Sequence, residues 1–307
     1  MKTIDGIVPV MLTPFTEQND VDYPGLAKLI DWYIDKNVDA LFAVCQSSEM
    51  QFLSLEERVA VARFVVEHVQ GRIPVIASGH ISDDLNAQVE ELSAMAETGI
   101  DALVLVTNHL DPQKAGSDTF FANLNHLLDA LPKTLPLGLY ECPAPYRRLL
   151  SDEELTYCAN TGRFVVLKDV SCDLATVTRR VELVQETPLN IINANAAIAF
   201  PAMKAGSRGF SGVFTNFHPE LYVWLYHHHQ ENPALADELA DFLSLAAVTE
   251  TLGYPKNAKV YHQRLGTFTS IQCRVNKDDV LEKHWGLTVI LDQIQHGTEH
   301  YQKKITR

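Results

Sequence analysis

The sequence predicts an α/β fold: a (β/α)8 TIM barrel followed by a C-terminal helical bundle. Eight short apolar runs rich in β-branched residues alternate with amphipathic segments of helical period. Eight such units over about 225 residues match the usual size of this barrel. The runs are nearly continuous in apolar residues, as expected for parallel strands covered on both faces. A doubly wound open sheet is the structural alternative, but no G-x-G-x-x-G or G-x-x-x-x-G-K-[ST] motif follows any run.

The order of strands and helices follows from this alternation. The predicted strands are 7–15, 40–44, 75–78, 102–107, 137–140, 164–168, 190–193 and 210–215. The predicted helices among them are 22–36, 54–69, 83–97, 117–131, 151–160, 173–186, 195–205 and 218–229. Ser54 and Ser151 each stand three residues before a glutamate, a pattern that predicts a capping box at a helix start. Gly99 and Gly206 lie where two helices should end.

After residue 233 the alternation stops, and three helices are predicted at 234–252, 255–264 and 278–297. We therefore expect a catalytic barrel at 1–225 and a C-terminal helical region at 226–307. Three consecutive histidines at 227–229 would lie about 100° apart on their helix and could not share one metal ion. A solvated helix end is expected there.

The composition limits the classes of protein. The formal net charge of -14 would repel a polyphosphate backbone, so no nucleic-acid partner is expected. No stretch approaches the roughly 20 uncharged apolar residues of a membrane helix, and no signal-peptide core follows Met1. These features predict a cytoplasmic protein without a membrane partner. Five cysteines without a C-x-x-C pair give neither a disulfide framework nor a zinc ligand set, and no metal or other cofactor is expected.

Lys168 is the residue most indicative of chemistry, because it ends the apolar run at 164–168. In a barrel of this type the catalytic groups sit at the carboxyl ends of the strands. Desolvation beside apolar residues lowers the pKa of an ammonium and gives a neutral amine that can attack a carbonyl. No other predicted strand ends in lysine. The alternative is a lysine that merely ends a strand and reaches water.

Tyr140 ends the preceding strand, so its side chain lies beside Lys168 if both point into the barrel mouth. A phenol can carry protons during imine formation and at the scissile bond. A tyrosine of the core or of an interface is the alternative. After the second strand, Gln46, Ser47 and Ser48 offer hydroxyls and turn N–H groups that could bind a carboxylate without arginine. Serines in a polar loop can also lack any such function.

Three cysteines, Cys45, Cys142 and Cys172, also follow predicted strand ends and could converge at the barrel mouth. If they converge, the site would be sensitive to oxidation. Small buried cysteines that only pack are the alternative.

Five segments, in this order and spacing, carry a family resemblance. Residues 6–15 read GIVPVMLTPF, 45–49 CQSSE, 140–143 YECP, 166–169 VLKD and 209–212 GFSG. They resemble the first strand, the G-[ST]-T-G-E loop, the Y-N-x-P segment, the lysine strand and the last-strand pocket segment of the dihydrodipicolinate synthase / N-acetylneuraminate lyase family. That family consists of class I (Schiff-base) aldolase-like (β/α)8 enzymes. The resemblance covers about the first 225 residues.

The resemblance implies a role for each matched residue in catalysis. Lys168 would form the imine with a 2-keto group, and Tyr140 would be the proton shuttle. Ser47 would hold a hydroxyl near the substrate carboxylate and Tyr140. The N–H groups of Gln46 and Ser47 would bind that carboxylate.

The resemblance also bears on the substrate. Ser211 and Gly212 would line the pocket from the last strand. His109 would substitute for the tyrosine that a neighbouring subunit lends to the site of dihydrodipicolinate synthase. In that synthase an arginine shortly after Y-N-x-P binds the second substrate's carboxylate, and Pro145 stands at that position here. We therefore expect an enzyme other than the lysine-pathway synthase.

The main prediction is a lyase of the class I aldolase type that cleaves or forms a carbon–carbon bond in pyruvate or a longer 2-keto acid. The expected binding partner is therefore a small-molecule 2-keto acid. A 2-keto-3-deoxy sugar-acid dehydratase that uses the same imine is one alternative. A non-catalytic relative that binds a keto acid is another. Family members are commonly tetramers built from dimers, so the resemblance implies a homo-oligomer, dimer or tetramer.

Overall fold

A computed structural model describes residues 3–306 of the chain. In that range, eight strands form one parallel sheet in the order β1-β8-β7-β6-β5-β4-β3-β2. The strands are β1 (Gly6–Ile7), β2 (Leu41–Phe42), β3 (Val75–Ala77), β4 (Ala102–Val106), β5 (Leu137–Tyr140), β6 (Phe164–Asp169), β7 (Asn190–Asn193) and β8 (Gly209–Phe210). A parallel bridge between Val10 and Phe42 joins the segments at β1 and β2 and closes the sheet into a barrel. The predicted eight-stranded α/β barrel is confirmed.

Apolar side chains fill the inside of the barrel. Ile76, Leu139, Val166 and their neighbours surround a void of only about 10 Å³. Lys168 and Ser211 border this void and also line a much larger cavity at the carboxyl ends of the strands. These two polar residues therefore lie at the boundary between the packed core and the open end of the barrel.

The first and last strands are shorter than the predicted runs at 7–15 and 210–215. Pro9 has no N–H to give to a strand ladder. The Thr215 hydroxyl accepts a bond from the main-chain N–H of Val10 at 3.4 Å. Regular strand geometry therefore ends early, although isolated main-chain bonds such as Met11 N–H to the Phe42 carbonyl at 3.1 Å continue beyond β1, and the predicted extents of both strands are wrong.

Eight helices follow the strands near the predicted places. They are α1 (Tyr23–Asp35), α2 (Leu55–Val69), α3 (Leu85–Ala96), α4 (Ser117–Ala130), α5 (Asp152–Asn160), α6 (Leu174–Val184), α7 (Ala199–Lys204) and α8 (Pro219–His228). The capping boxes at Ser54 and Ser151 are confirmed, because each hydroxyl accepts from the glutamate N–H three residues on at 3.2 Å. Gly99 and Gly206 have φ of 87° and 96° beyond the ends of α3 and α7, as their predicted role requires.

Four further helices complete the described chain: α9 (Pro233–Ala246), α10 (Lys256–Arg264), α11 (Val280–Lys283) and α12 (Leu287–Ile305). The predicted helix at 234–252 ends at residue 246 and continues as a 3₁₀ turn, Ala247–Thr251. The single helix predicted at 278–297 is wrong. The chain leaves helical geometry at His284 (φ -122°, ψ 80°), and α12 then runs beyond 297 because Tyr301 packs on Phe242 with ring centroids 5.1 Å apart.

The predicted boundary between 1–225 and 226–307 falls inside α8. The division into two domains therefore stays a prediction, and residues 1, 2 and 307 lie outside the described range. None of the helices described between residues 3 and 306 has the length and apolar character needed to cross a membrane.

The three histidines at the end of α8 point to different partners. His227 bonds Asp39 at 2.9 Å, His228 bonds Glu231 at 2.8 Å, and His229 bonds a carbonyl of its own helix at 2.9 Å. The predicted helix end is confirmed, since all three side chains are at least partly accessible.

Candidate active site

A cavity of about 830 Å³ lies at the carboxyl ends of the strands, and we call it the central cavity. Loops after several strands contribute to its wall, including Gln46 after β2, His109 after β4 and Ser211 after β8. The C-terminal region adds Glu250 and Tyr254. This is the end at which barrel enzymes bind their ligands.

Lys168 and Tyr140 lie side by side at the bottom of this cavity. They are register partners at the ends of β6 and β5. The Lys168 Nζ lies 4.4 Å from the centroid of the Tyr140 ring and 5.6 Å from that of Phe42. Only 8% of Lys168 is exposed, and its amine makes no hydrogen bond or ion pair within residues 3–306.

The surroundings lower the pKa of Lys168 below its ordinary value. Burial is the main cause, since an ammonium loses its hydration in this position. Cys45, Cys142 and Glu250 oppose the shift through their negative forms. The balance favours the neutral amine, which is the nucleophilic form of lysine.

A buried arginine holds the ends of β5 and β6 together. Glu141 follows Tyr140, and Asp169 follows Lys168. Arg180 on α6 binds both oxygens of Glu141, at 2.6 and 3.0 Å, and donates to Asp169. We call these three side chains the Arg180 clamp. Because each acid adjoins one of the two cavity residues, the clamp sets the relative position of Tyr140 and Lys168.

Tyr140 donates a hydrogen bond to the side-chain oxygen of Gln46 at 3.4 Å. The same oxygen accepts from the Cys142 thiol at 3.5 Å. Burial raises the pKa of Tyr140 well above its ordinary value, and nearby Cys142 and Cys45 add to the effect. The phenol is therefore neutral before any reaction and available as a proton donor.

The loop at 45–49 presents Ser47 and hides Ser48. Ser47 and Tyr254 both line the central cavity. The Ser48 hydroxyl turns back into the loop, where it accepts from the Cys45 N–H at 2.6 Å and donates to the Cys45 carbonyl at 2.7 Å. Ser48 is fully buried and does not reach the central cavity. Its hydroxyl stabilises the loop in place of the predicted contact with substrate.

Glu49 fastens this loop to the C-terminal region. Its backbone is left-handed, with φ 61°. Its carboxylate binds the buried amine of Lys259 and accepts from the N–H groups of Arg274 at 2.6 Å and Val275 at 2.8 Å. Segments distant in sequence are thus joined directly beneath the loop that carries Gln46 and Ser47.

The remaining predicted contacts also line the central cavity. Ser211 donates to the Val8 carbonyl at 2.8 Å, so its hydroxyl is already engaged with the barrel wall. A Cβ at Gly212 would stand 2.6 Å from the Ala194 carbonyl oxygen, so only glycine fits there. His109 pairs through Nδ1 with Asp83 at 3.0 Å, which orients its ring at the cavity wall.

Three residues of the site were not predicted: Arg180, Glu250 and Tyr254. Burial raises the pKa of Tyr254 well above its ordinary value, and its hydroxyl accepts from Asn216 at 3.0 Å. The sequence carries a faint signal only for Arg180, namely the acid that follows each of the two strand ends. Nothing local marks Glu250 or Tyr254, because they enter the cavity from beyond the barrel.

The cysteines divide into buried and exposed groups. Cys45 and Cys142 are buried and act electrostatically on Lys168, whereas Cys172 is exposed and lines the central cavity. Over residues 3–306, no group of three or more His, Cys, Asp and Glu side chains has the arrangement of a metal site.

A closed parallel barrel whose large cavity opens at the carboxyl ends of the strands has the architecture of a barrel enzyme. The chain belongs to the dihydrodipicolinate synthetase family, whose model matches residues 3–276. Members of this family are lyases of the class I aldolase type, and this chain is an enzyme of that class.

Relatives by sequence carry one activity name. The 4-hydroxy-tetrahydrodipicolinate synthase of Clostridium perfringens (strain SM101 / Type A) is 30% identical over 215 residues, which are 70% of this chain and 72% of that protein. The enzyme of the same name from Bacillus subtilis (strain 168) is 30% identical over 212 residues, 68% of this chain and 70% of that protein.

Solved structures with this fold carry more varied descriptions. A prophage protein of the dihydrodipicolinic acid synthase family from E. coli K12, in complex with pyruvate, has a TM-score of 0.85 at 24% identity, over 96% of this chain and 99% of that one. A Clostridium difficile protein in complex with mannosamine has a TM-score of 0.84 at 18% identity, over 97% of this chain and 100% of that one. At these identities the likeness concerns the fold.

Proposed function

We propose that this lyase forms an imine between Lys168 and the keto carbon of pyruvate or a longer 2-keto acid, and that it cleaves or forms a carbon–carbon bond. The observation that carries the proposal is the Lys168 amine: buried, without a hydrogen bond or ion pair in the described chain, and 4.4 Å from the Tyr140 ring. A neutral amine in this setting attacks carbonyl carbon. The pyruvate complex of the E. coli K12 relative supports this class of ligand.

The bond changes balance with these residues alone. The Lys168 amine adds to the keto carbon, and the carbinolamine loses water to give a protonated imine. In cleavage, a base takes the proton of the C4 hydroxyl, the C3–C4 bond breaks, and its electron pair forms the enamine. The aldehyde leaves, C3 takes up a proton, and water hydrolyses the imine to release the 2-keto acid and restore the Lys168 amine. Tyr140 is the proposed carrier of these protons, since its ring centroid lies 4.4 Å from the amine and its hydroxyl is neutral at rest.

The carboxylate end of the substrate would bind at the loop that carries Gln46 and Ser47. Both residues line the central cavity, and Gln46 also holds the Tyr140 hydroxyl. A carboxylate bound at Ser47 would place the adjacent keto carbon between Tyr140 and Lys168. Ser211 and Gly212 would bound the opposite side, and Gly212 leaves room for the ligand because it has no side chain.

We infer that the substrate differs from that of the synthases named above, because the described cavity offers no arginine to a second carboxylate. Pro145 lines the cavity wall at the position where the arginine that binds a second carboxylate would be expected. Arg148 is committed to Asp111 at 3.0 Å and to Glu154 at 2.7 Å. Arg147 donates to main-chain carbonyls after β6.

Borohydride reduction in the presence of pyruvate tests the imine. The wild-type protein should gain a covalent adduct on Lys168, located by peptide mass spectrometry, and Lys168→Arg should gain none. Lys204→Arg is a matched control, because Lys204 also lies over an aromatic ring, at 4.3 Å from the Phe200 centroid, but has a half-exposed side chain. Equal labelling of the Lys168→Arg and wild-type proteins would rule out the proposal.

Product analysis decides between cleavage and dehydration. With a panel of 2-keto-3-deoxy sugar acids, the proposal predicts release of pyruvate and an aldehyde. Loss of water with an intact carbon chain would instead identify a dehydratase that uses the same imine. An adduct without any turnover would identify a keto-acid-binding protein.

We also infer that the enzyme assembles as a dimer or tetramer. Trp285 is 92% exposed and Val289 60% exposed, and a soluble monomer gains nothing from such apolar side chains. One solved structure of this fold is that of a monomeric dihydrodipicolinate synthase variant, so assembly varies among proteins of this fold. Light scattering after size exclusion should give at least twice the 34.3 kDa chain mass, and a mass near 34.3 kDa would contradict the inference.

A further inference from the structure

Glu250 stands in the central cavity without a partner. It lies on the 3₁₀ turn Ala247–Thr251 and lines the cavity. Its carboxylate makes no hydrogen bond or ion pair with any side chain or N–H group between residues 3 and 306. Its carbonyl accepts from the N–H of Tyr254 at 3.3 Å, so its backbone is held beside another residue of the cavity wall.

The other charges around the cavity are already matched. Glu49 is paired with Lys259, and Asp83 with His109. Lys168 is the one lysine or arginine among the described lining residues, and it is consumed as the imine in the proposed reaction. Glu250 is therefore the carboxylate left to meet the part of the substrate beyond the imine.

Glu250 and Lys168 act on each other across the cavity. Burial raises the pKa of the Glu250 carboxyl, and the positive charge of Lys168 opposes this rise. The effect is mutual, because the negative charge of Glu250 opposes the lowering of the Lys168 pKa. The two groups thus face the same cavity, in which an unpaired carboxylate attracts a hydroxyl donor and repels a second negative charge.

We propose that Glu250 determines specificity: it accepts hydrogen bonds from hydroxyls on the aldehyde part of the substrate and disfavours an aldehyde that carries a carboxylate. This rests on the proposed imine chemistry at Lys168. It names the second reactant as a neutral hydroxyaldehyde. The matching cleavage substrate is a 2-keto acid with hydroxyls from C4 onward.

The test is condensation of pyruvate with two aldehydes, glyceraldehyde and succinic semialdehyde, by the wild-type protein and Glu250→Gln. The wild-type protein should prefer glyceraldehyde in kcat/KM. Glu250→Gln should reduce that preference by about ten- to a hundred-fold, the range expected for a hydrogen bond to a charged group. Glu238→Gln on α9, whose carboxylate bonds Lys304 at the surface, is the control and should keep the wild-type ratio.

Borohydride trapping with pyruvate alone separates this inference from the proposed function. Trapping by Glu250→Gln should be at least as fast as by the wild-type protein, because removal of the carboxylate lowers the Lys168 pKa further. If both trap pyruvate and the aldehyde ratio is unchanged, the role of Glu250 is refuted while the imine stands. If Glu250→Gln traps pyruvate much more slowly, Glu250 serves Lys168 and the inference is also refuted. If the wild-type protein traps nothing, both proposals fall.

Discussion

Replacing Arg180 with methionine tests whether the Arg180 clamp fixes the positions of Tyr140 and Lys168. Arg180, Glu141 and Asp169 are each at most 1% exposed, and the guanidinium binds both carboxylates. Methionine fills much of the same volume but leaves two buried carboxylates without a counter-charge. Removal of one partner from a buried ion pair costs about 3–5 kcal/mol. We expect at least that loss in the free energy of unfolding.

The neighbouring Arg179 supplies the matched control. It also pairs with an acid, Asp152, at 2.9 Å, but the two side chains are 52% and 48% exposed. Exposed pairs contribute about 0–1 kcal/mol. Arg179→Met should therefore cost little, and the two variants should differ by about 2 kcal/mol or more in urea unfolding followed by circular dichroism. Equal losses would refute the assignment of Arg180 as the holder of the two strands.

The pH dependence of this loss has a definite sign. Burial already raises the pKa of Glu141, and Arg180 opposes that rise. Without Arg180 the folded-state pKa of this carboxyl moves further above its unfolded value. A group shifted in this direction contributes stability below its unfolded pKa and loses it as pH rises through the folded pKa. The deficit of Arg180→Met should therefore be smaller at pH 5 than at pH 8, and a larger deficit at pH 5 would contradict the explanation.

Three further predictions concern the cavity and its support. Tyr140→Phe should keep the borohydride adduct but lower kcat by about 10²- to 10⁴-fold, the usual range for a lost acid–base group, and unchanged turnover in steady-state assays would remove Tyr140 from the mechanism. The initial rate of pyruvate trapping should rise with pH and level off below the ordinary lysine pKa of 10.5, because burial favours the neutral amine of Lys168; a midpoint at or above 10.5 would contradict this. Lys259→Met should cost about 3–5 kcal/mol in urea unfolding by leaving Glu49 unpaired, and the loss should largely disappear in the double variant with Glu49→Gln.

The sequence was sufficient to predict the barrel and the lysine–tyrosine pair. Both depend on local periodicity: an apolar run that ends in a polar residue places that residue at the carboxyl end of a strand. Lys168 and Tyr140 end neighbouring strands, so their proximity follows from strand order. The extents of β1 and β8 could not be predicted in the same way, because the apolar runs continue past the points at which regular strand pairing ends.

The rest of the site depends on contacts that leave no local pattern. An arginine on an amphipathic helix is ordinarily expected to face water. Arg180 is buried instead because Glu141 and Asp169 neutralise its charge. Ser48 shows the opposite case, since a hydroxyl in a polar loop next to Ser47 turns inward to bond its own backbone. Glu250 and Tyr254 belong to the C-terminal region. The periodicity of the sequence does not specify how that region packs against the barrel, so their place in the cavity could not be predicted.

The bond between Glu49 and Lys259 joins residues 210 positions apart. The chain must therefore bring together segments separated by more than half of the described residues before the loop that carries Gln46 and Ser47 is anchored, and closing such a long loop has a large entropic cost. A barrel that has already formed its strands is still without this support. The geometry of the loop thus depends on the C-terminal helices as much as on the barrel, and a chain cut before α10 would keep Gln46 and Ser47 but lose the anchor of their loop.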